Sequence, residues 1–305
     1  MGANPRFKIL FGNVRLRVLP FVLGGLFVRN RFGNGYMEPG IVGGSFLFNP
    51  INPDNDMRTI KVANHTVELF DSIDELPVMR FHKYNKMLLI DSGIGSDLAD
   101  VDNHIERAIR FCRTKPELAA AELDNLRQSI YFIQTDLSPK HLAFCVLVKS
   151  VDGKQCNDLS DDALQNLLKL FADAPHVELT AQIEAVKKKI DTELNMYFPG
   201  TFDDASVKEY YDQLKRRTIA MLDAIITGED KRNEIEEITN LLITYTRPIP
   251  FQGKDSMEIS YDKQFESMCL LLSQQLHVEP KKFTVLEYYN AFDYLKKQTK
   301  QSKAK

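Results

Sequence analysis

Residues 86–109 read KMLLIDSGIGSDLADVDNHIERAI, and the fold class turns on how the first half of that stretch is taken. Lys86 to Ile90 form a short apolar run closed by Asp91-Ser92-Gly93, the pattern of a buried strand entering a glycine-permitted turn. Gly93 and Gly95 supply the freedom such a turn needs, and Asp91 offers a short carboxylate to its backbone N–H groups. From Ser96 the period becomes helical. Ser96 or Asp97 caps a helix that carries Val101, Ile105, Ala108, Ile109 and Cys112 on one stripe. A strand that hands over to a helix at residue 95 divides the chain into a β region before it and a helical body after it.

Working upstream, TIKVANHTVELF (59–70) alternates apolar and polar residues and predicts a hairpin turning near Ala63-Asn64. Asn49 to Asp56 is loop by its proline and asparagine content. Residues 51–95 are therefore expected to form a small β region. Downstream, Pro116 marks a helix start, and Leu118, Leu123, Leu126, Ile130 and Ile133 follow it. The segment LSPKHLAFCVLVKSVDGKQ (137–155) reads both ways, since Ser138-Pro139 opens a helix while AFCVLV before Asp152-Gly153 suits a strand and turn. Ser160 caps DDALQNLLKLF with two acids in its first turn. These features place a mixed helical domain at 96–175.

Residues 176–247 predict helical hairpins. Thr180 opens one helix, Val207 to Ile226 mark a second that Gly228 closes, and Ile235 to Tyr245 mark a third. A C-terminal helical pair with a basic tail occupies 248–305, at 261–276 and 285–297. Its second member carries a full capping box, Thr284 with Glu287, and Phe283 opposite Tyr288 as a staple. The expected fold class is α+β, a small antiparallel β region followed by a mainly α-helical, bundle-like body.

The first fifty residues form a basic, apolar arm. Arg6, Lys8, Arg15, Arg17, Arg29 and Arg31 give residues 1–37 a charge of +6 with no acid, so the remainder carries −9 of the total −3. Phe7, Phe11, Phe21, Phe27 and Phe32 in the same segment need a surface to pack against. A neighbouring subunit supplies one, and a small β layer folded onto the chain's own body is the alternative. A basic arm on an acidic body suits an acidic protein surface, a membrane surface or nucleic acid. The run Val18–Val28 is too short to span a bilayer and is not followed by a cleavage site, so no membrane span is expected. Cysteines 112, 145, 156 and 269 show no metal-binding or disulfide spacing and are expected as reduced thiols.

Chemical candidates are few. Asp-Ser-Gly after an apolar run is also how half of an aspartic-protease site reads, but such a site needs two facing aspartates. No second Asp-Thr/Ser-Gly occurs, and helical sequence follows Asp91 within about six residues. Asp97, Asp100 and His104 can share a helical face as oxygen and nitrogen ligands, without the alternation or closing glutamate of a calcium loop. Acids at a helix start are explained without a metal by the exposed N–H groups there. His141 and Cys145 are an i, i+4 pair with no third group to orient the histidine. Phosphate-binding glycine motifs are missing from the sequence. Neither a catalytic residue, a metal ligand nor a cofactor is assigned, and an enzyme centred on Asp91–Asp102 stands as the alternative from another class. A nucleic-acid contact through the arginine- and phenylalanine-bearing arm is a further alternative.

Two stretches, SIDELPVMRFHKYNKMLLIDSGIGSDLADVDNHIERAI (72–109) and LLSQQLHVEPKKFTVLEYYNAFDYLKKQ (271–298), cover about a fifth of the chain. Both resemble uncharacterised proteins encoded among the structural genes of crAss-like tailed bacteriophages that infect gut Bacteroides. The second is also similar to short helical segments of tail-assembly and baseplate proteins. The resemblance carries no catalytic residues. It implies a non-enzymatic virion structural or assembly protein (tail, neck, baseplate or capsid-associated), made in the host cytoplasm and built into the virion. Its implied partners are other phage structural proteins and copies of itself, with packaged DNA as a further contact.

Overall fold

Strands β1 (Thr59–Val62) and β2 (His65–Leu69) pair antiparallel around Ala63-Asn64, where Ala63 takes φ +51°. The computed structural model describes residues 59–199, 205–245, 248–254 and 256–303. The expected arm at 1–50 lies outside them. Val62, Val67 and Leu69 are buried, so the alternation in TIKVANHTVEL sets one face of the hairpin against the core.

The predicted third strand is a helix. α1 (Val78–Ile94) runs straight through MLLIDSG, and the sheet instead takes β3 (Val148–Val151) and β4 (Lys154–Gln155) from a segment about sixty residues later. The order is β1-β2-β3-β4, antiparallel throughout, with an irregularity between Glu68 and Leu69. Asp152 and Gly153 turn the second hairpin with both φ values positive, as a two-residue turn with the right twist requires. The fold is α+β, a small antiparallel sheet with a mainly helical body.

α1 is helical because its buried positions, Val78, Phe81, Tyr84, Leu88 and Ile94 among them, keep the three-to-four spacing over its whole length. The MLLI run is its most enclosed part, where Leu88, Leu89 and Ile90 are all buried. A helix covered on every side has the same unbroken apolar text as a buried strand. Pro77 precedes α1 in extended conformation, and Gly95 ends it with φ +72°.

Around α1 lie α2 (Leu98–Thr114), α3 (Pro116–Thr135), α4 (Pro139–Leu147), α5 (Asp161–Leu170), α6 (His176–Tyr197), α9 (Met257–Leu276) and α10 (Val285–Lys303). α1 packs against α3, α4, α9 and α10, while α2 and α3 pair as a hairpin and α4 also meets α5 and α6. α6 begins at His176, four residues before the expected Thr180, and α9 begins at Met257 ahead of 261. α4 becomes β3 without any breaking residue. The Arg80 guanidinium explains the change: Nη1 donates to Val146 O (2.8 Å) and Val148 O (3.1 Å), and Nη2 donates to Cys156 O. Arg80 thus supplies donors to carbonyls that a longer α4 would have paired itself.

Ser160 accepts from Ala163 N at the head of α5. Ahead of α10, Thr284 Oγ1 accepts from Glu287 N (3.3 Å) while Glu287 Oε2 accepts from Thr284 N (2.9 Å), the expected reciprocal cap. The chain divides into two compact units. One takes its described residues from 59–197 and 248–303, and α6 belongs with it. The other contains α7 (Ala205–Thr227) and α8 (Arg232–Tyr245).

Candidate functional site

Of the carboxylates at 91–102, those of Asp97 and Asp100 are used by the fold. Asp91 and Gly93 lie inside α1, upstream of the actual turn, and Asp91 O accepts from Gly95 N (2.7 Å). Gly93 is where a neighbour comes close, because a Cβ there would lie 2.3 Å from Phe251 Cε2. Gly95 carries the positive φ, and a Cβ on it would meet the Asp100 carboxylate at 2.1–2.2 Å. That space lets Asp100 Oδ2 fold back and accept from Ser96 N (3.1 Å), while Asp97 Oδ1 accepts from Asp100 N (3.0 Å). Asp97 and Asp100 therefore form a reciprocal cap on α2.

His104 does not join them. It is fully buried, with Nδ1 2.7 Å from Glu122 Oε1 on α3 and Nε2 2.6 Å from Ile94 O. Since the carbonyl can only accept, Nε2 carries a proton. Arg107 Nη2 reaches the other oxygen of Glu122 at 3.2 Å, so the fully buried carboxylate faces one group on each side. The expected shared face of Asp97, Asp100 and His104 is thus split between a helix cap and a buried pair. Among the described residues no three His, Cys, Asp or Glu side chains gather closely enough to hold a metal ion. Glu122 escaped sequence reading because nothing in AAAELDNL marks one acid on an amphipathic helix as the inward one.

Two more ionisable clusters lie in the larger unit, one between α1 and α9 and one on α6. His82 on α1 stacks between Tyr261 (centroids 4.5 Å) and Phe265 (4.1 Å) of α9, with Nε2 2.9 Å from Asp262 Oδ1. Burial draws the His82 imidazole below its ordinary pKa, against the pull of Asp262. Burial pushes the Asp262 carboxyl up, but Lys86 (2.8 Å) and His82 outweigh it and hold it below the usual range. On α6, burial raises Asp191 to about 6 although Lys187 opposes it, and burial lowers Lys187 in turn.

The α7–α8 unit is different in kind. Among the described residues of α7 and α8, Ala220, Ile238 and Leu242 are buried, and Gly228 closes α7 with φ +73°. Lys231 pairs with Asp223 (3.1 Å) and Arg232 with Asp230 (2.8 Å) around the turn. The last turns of α7 read IAMLDAIIT, apolar on nearly the whole circumference. Ile219, Leu222, Ile225 and Ile226 belong to the residues that mark this helix in the sequence, and the structure leaves them exposed, Ile225 at 78% and Ile226 at 80%. Met221 is exposed beside them. The signal available in the sequence was this density of apolar residues, since a helix apolar all round is a helix meant to be covered on all sides. Among the described residues, Ala220 is the position of this stretch that is buried.

The arm residues Arg6, Phe7, Phe11, Arg15, Arg17, Phe21, Phe27, Arg29, Arg31 and Phe32 lie outside the described residues. No described helix is long and apolar enough to cross a membrane. Comparison with protein-family models, with curated proteins and with solved structures returns no match.

Proposed function

We propose that this chain is a non-enzymatic assembly protein that binds neighbouring subunits, and that its setting is the virion of a tailed bacteriophage. The observation that carries the binding role is the exposed end of α7, where Met221, Leu222, Ile225 and Ile226 stand on one short helical segment. Contiguous apolar surface of this kind marks an interaction site in a folded protein. Covering one such isoleucine contributes about 1.5–3 kcal/mol before ordering costs are subtracted. In the larger unit, Asp97 and Asp100 are engaged in a helix cap, and His82, His104, Glu122 and Asp262 in ion-pair contacts. The phage setting rests on the resemblance of 72–109 and 271–298 to structural-gene products of that group.

Sedimentation velocity of the full chain, alone and with its co-expressed neighbours, tests the binding role. Ile225→Asp with Ile226→Asp is expected to abolish complexes that the unaltered chain forms, while far-ultraviolet circular dichroism stays the same. Complexes that survive the double substitution would overturn the reading. The phage setting is tested separately, by whether the gene lies among capsid and tail genes.

A further inference from the structure

We infer that the end of the α7–α8 hairpin is the docking surface for the chain's own leading segment, residues 1–37. This rests on the assembly reading above and names both the surface and its occupant. Two properties of the surface select that occupant. The first is apolar: Met221, Leu222, Ile225 and Ile226 are exposed within six residues of one helix. The second is charge. Residues 218–245 contain Asp223, Glu229, Asp230, Glu234, Glu236 and Glu237 against Lys231 and Arg232, a balance of −4. Both cations are already paired, Lys231 with Asp223 and Arg232 with Asp230. Glu229, Glu234, Glu236 and Glu237 have no ion-pair partner among the described residues.

The leading segment has the complementary chemistry. It offers five phenylalanines, at 7, 11, 21, 27 and 32, with six cations and no acid. Large aromatic side chains are suited to an aliphatic face, and arginines to carboxylates at its edge. The same charge argues against the obvious rival, the identical face of a second copy, because two surfaces of −4 repel at contact distance. Reach does not limit the pairing. Thirty-seven residues extend to more than about 100 Å, whereas a helix of the length of α7 spans about 35 Å. The segment can therefore seat on its own hairpin or on that of an adjacent copy.

The test places a photo-reactive phenylalanine analogue at Phe21 of the full chain, irradiates it and maps the cross-linked peptides by mass spectrometry. Cross-links to residues 219–237 are expected. They should be lost with Ile225→Asp and Ile226→Asp, and also with Glu234→Lys and Glu237→Lys, a pair of exposed positions that leaves the apolar core of the hairpin untouched. Raising salt from about 0.1 to 1 M, which shortens the screening length from about 10 to 3 Å, should weaken them. Cross-links that fall elsewhere in the chain, or that neither pair of substitutions diminishes, would overturn the inference. Mixing isotopically heavy and light chains separates its fate from that of the assembly role. Heavy–light cross-links support both, whereas light–light and heavy–heavy products alone uphold the docking surface and overturn its use in joining neighbours.

Discussion

Gly93→Ala is the substitution whose sign is most informative, because two local effects oppose each other there. In an exposed helix the change stabilises by about 0.5–1 kcal/mol, since alanine loses less backbone entropy on folding. At Gly93 the new Cβ would lie 2.3 Å from Phe251 Cε2 and 2.5 Å from Cζ. Carbon atoms rest at about 3.5–4.0 Å, so the ring must retreat by more than about 1 Å. It has little room, being 9% exposed. The segment that carries it is also held, through Asn125 Nδ2 to Ile249 O (3.0 Å), Met257 N to Pro250 O (2.8 Å) and Ser256 Oγ to Phe251 O (3.1 Å). Overpacking of this sort costs about 1–3 kcal/mol. The expected net is a loss of about 0.5–2 kcal/mol, read from urea denaturation followed by far-ultraviolet circular dichroism. Phe251→Leu should soften the clash, so that the two substitutions together cost less than their sum by about 1 kcal/mol. A gain in stability for Gly93→Ala alone would refute the claim that this glycine exists to admit the Phe251 ring.

Three further outcomes follow from the buried polar groups. Arg80→Met removes the donors to Val146 O, Val148 O and Cys156 O and should destabilise by at least about 3 kcal/mol, with denaturation midpoints as the readout. Asp191, raised from 3.8 to about 6, binds its proton more tightly folded than unfolded, so its burden on stability is absent below pH 4, grows as pH rises through about 6 and is full at pH 7. Asp191→Asn should therefore stabilise the protein at pH 7 by up to about 3 kcal/mol and lose that advantage near pH 4, in paired denaturation curves. His82 has the opposite slope, because a lowered imidazole pKa leaves the unfolded chain as the better proton acceptor. The native protein should lose stability relative to His82→Phe as pH falls below about 6.5, the ordinary histidine value, and the difference should level off once the native imidazole is itself protonated.

The proposed binding surface was half legible. Its residues stood in the sequence as an apolar helix, but whether Ile225 and Ile226 are covered depends on how many neighbours α7 has, which periodicity does not encode. The same holds for the 91–104 acids. Asp97 was readable as a cap because its partner Asp100 is three residues away, whereas the inward turn of His104 depends on Glu122, eighteen residues further along and on another helix.

Features closed within a few residues were determined by the sequence alone. The hairpin at 59–69, the Ser160 cap and the Thr284–Glu287 box each need only local donors, acceptors and torsion preferences, and each stands where the residues place it. Tertiary structure decided the rest. MLLI is helical because α3, α4, α9 and α10 surround α1, and an apolar run buried on all sides carries no period to distinguish helix from strand. α4 gives way to β3 because Arg80, sixty-six residues before Val146, reaches the carbonyls at the junction. Backbone groups must be satisfied wherever they are buried, and where the partner comes from a distant part of the chain only the folded molecule reveals which.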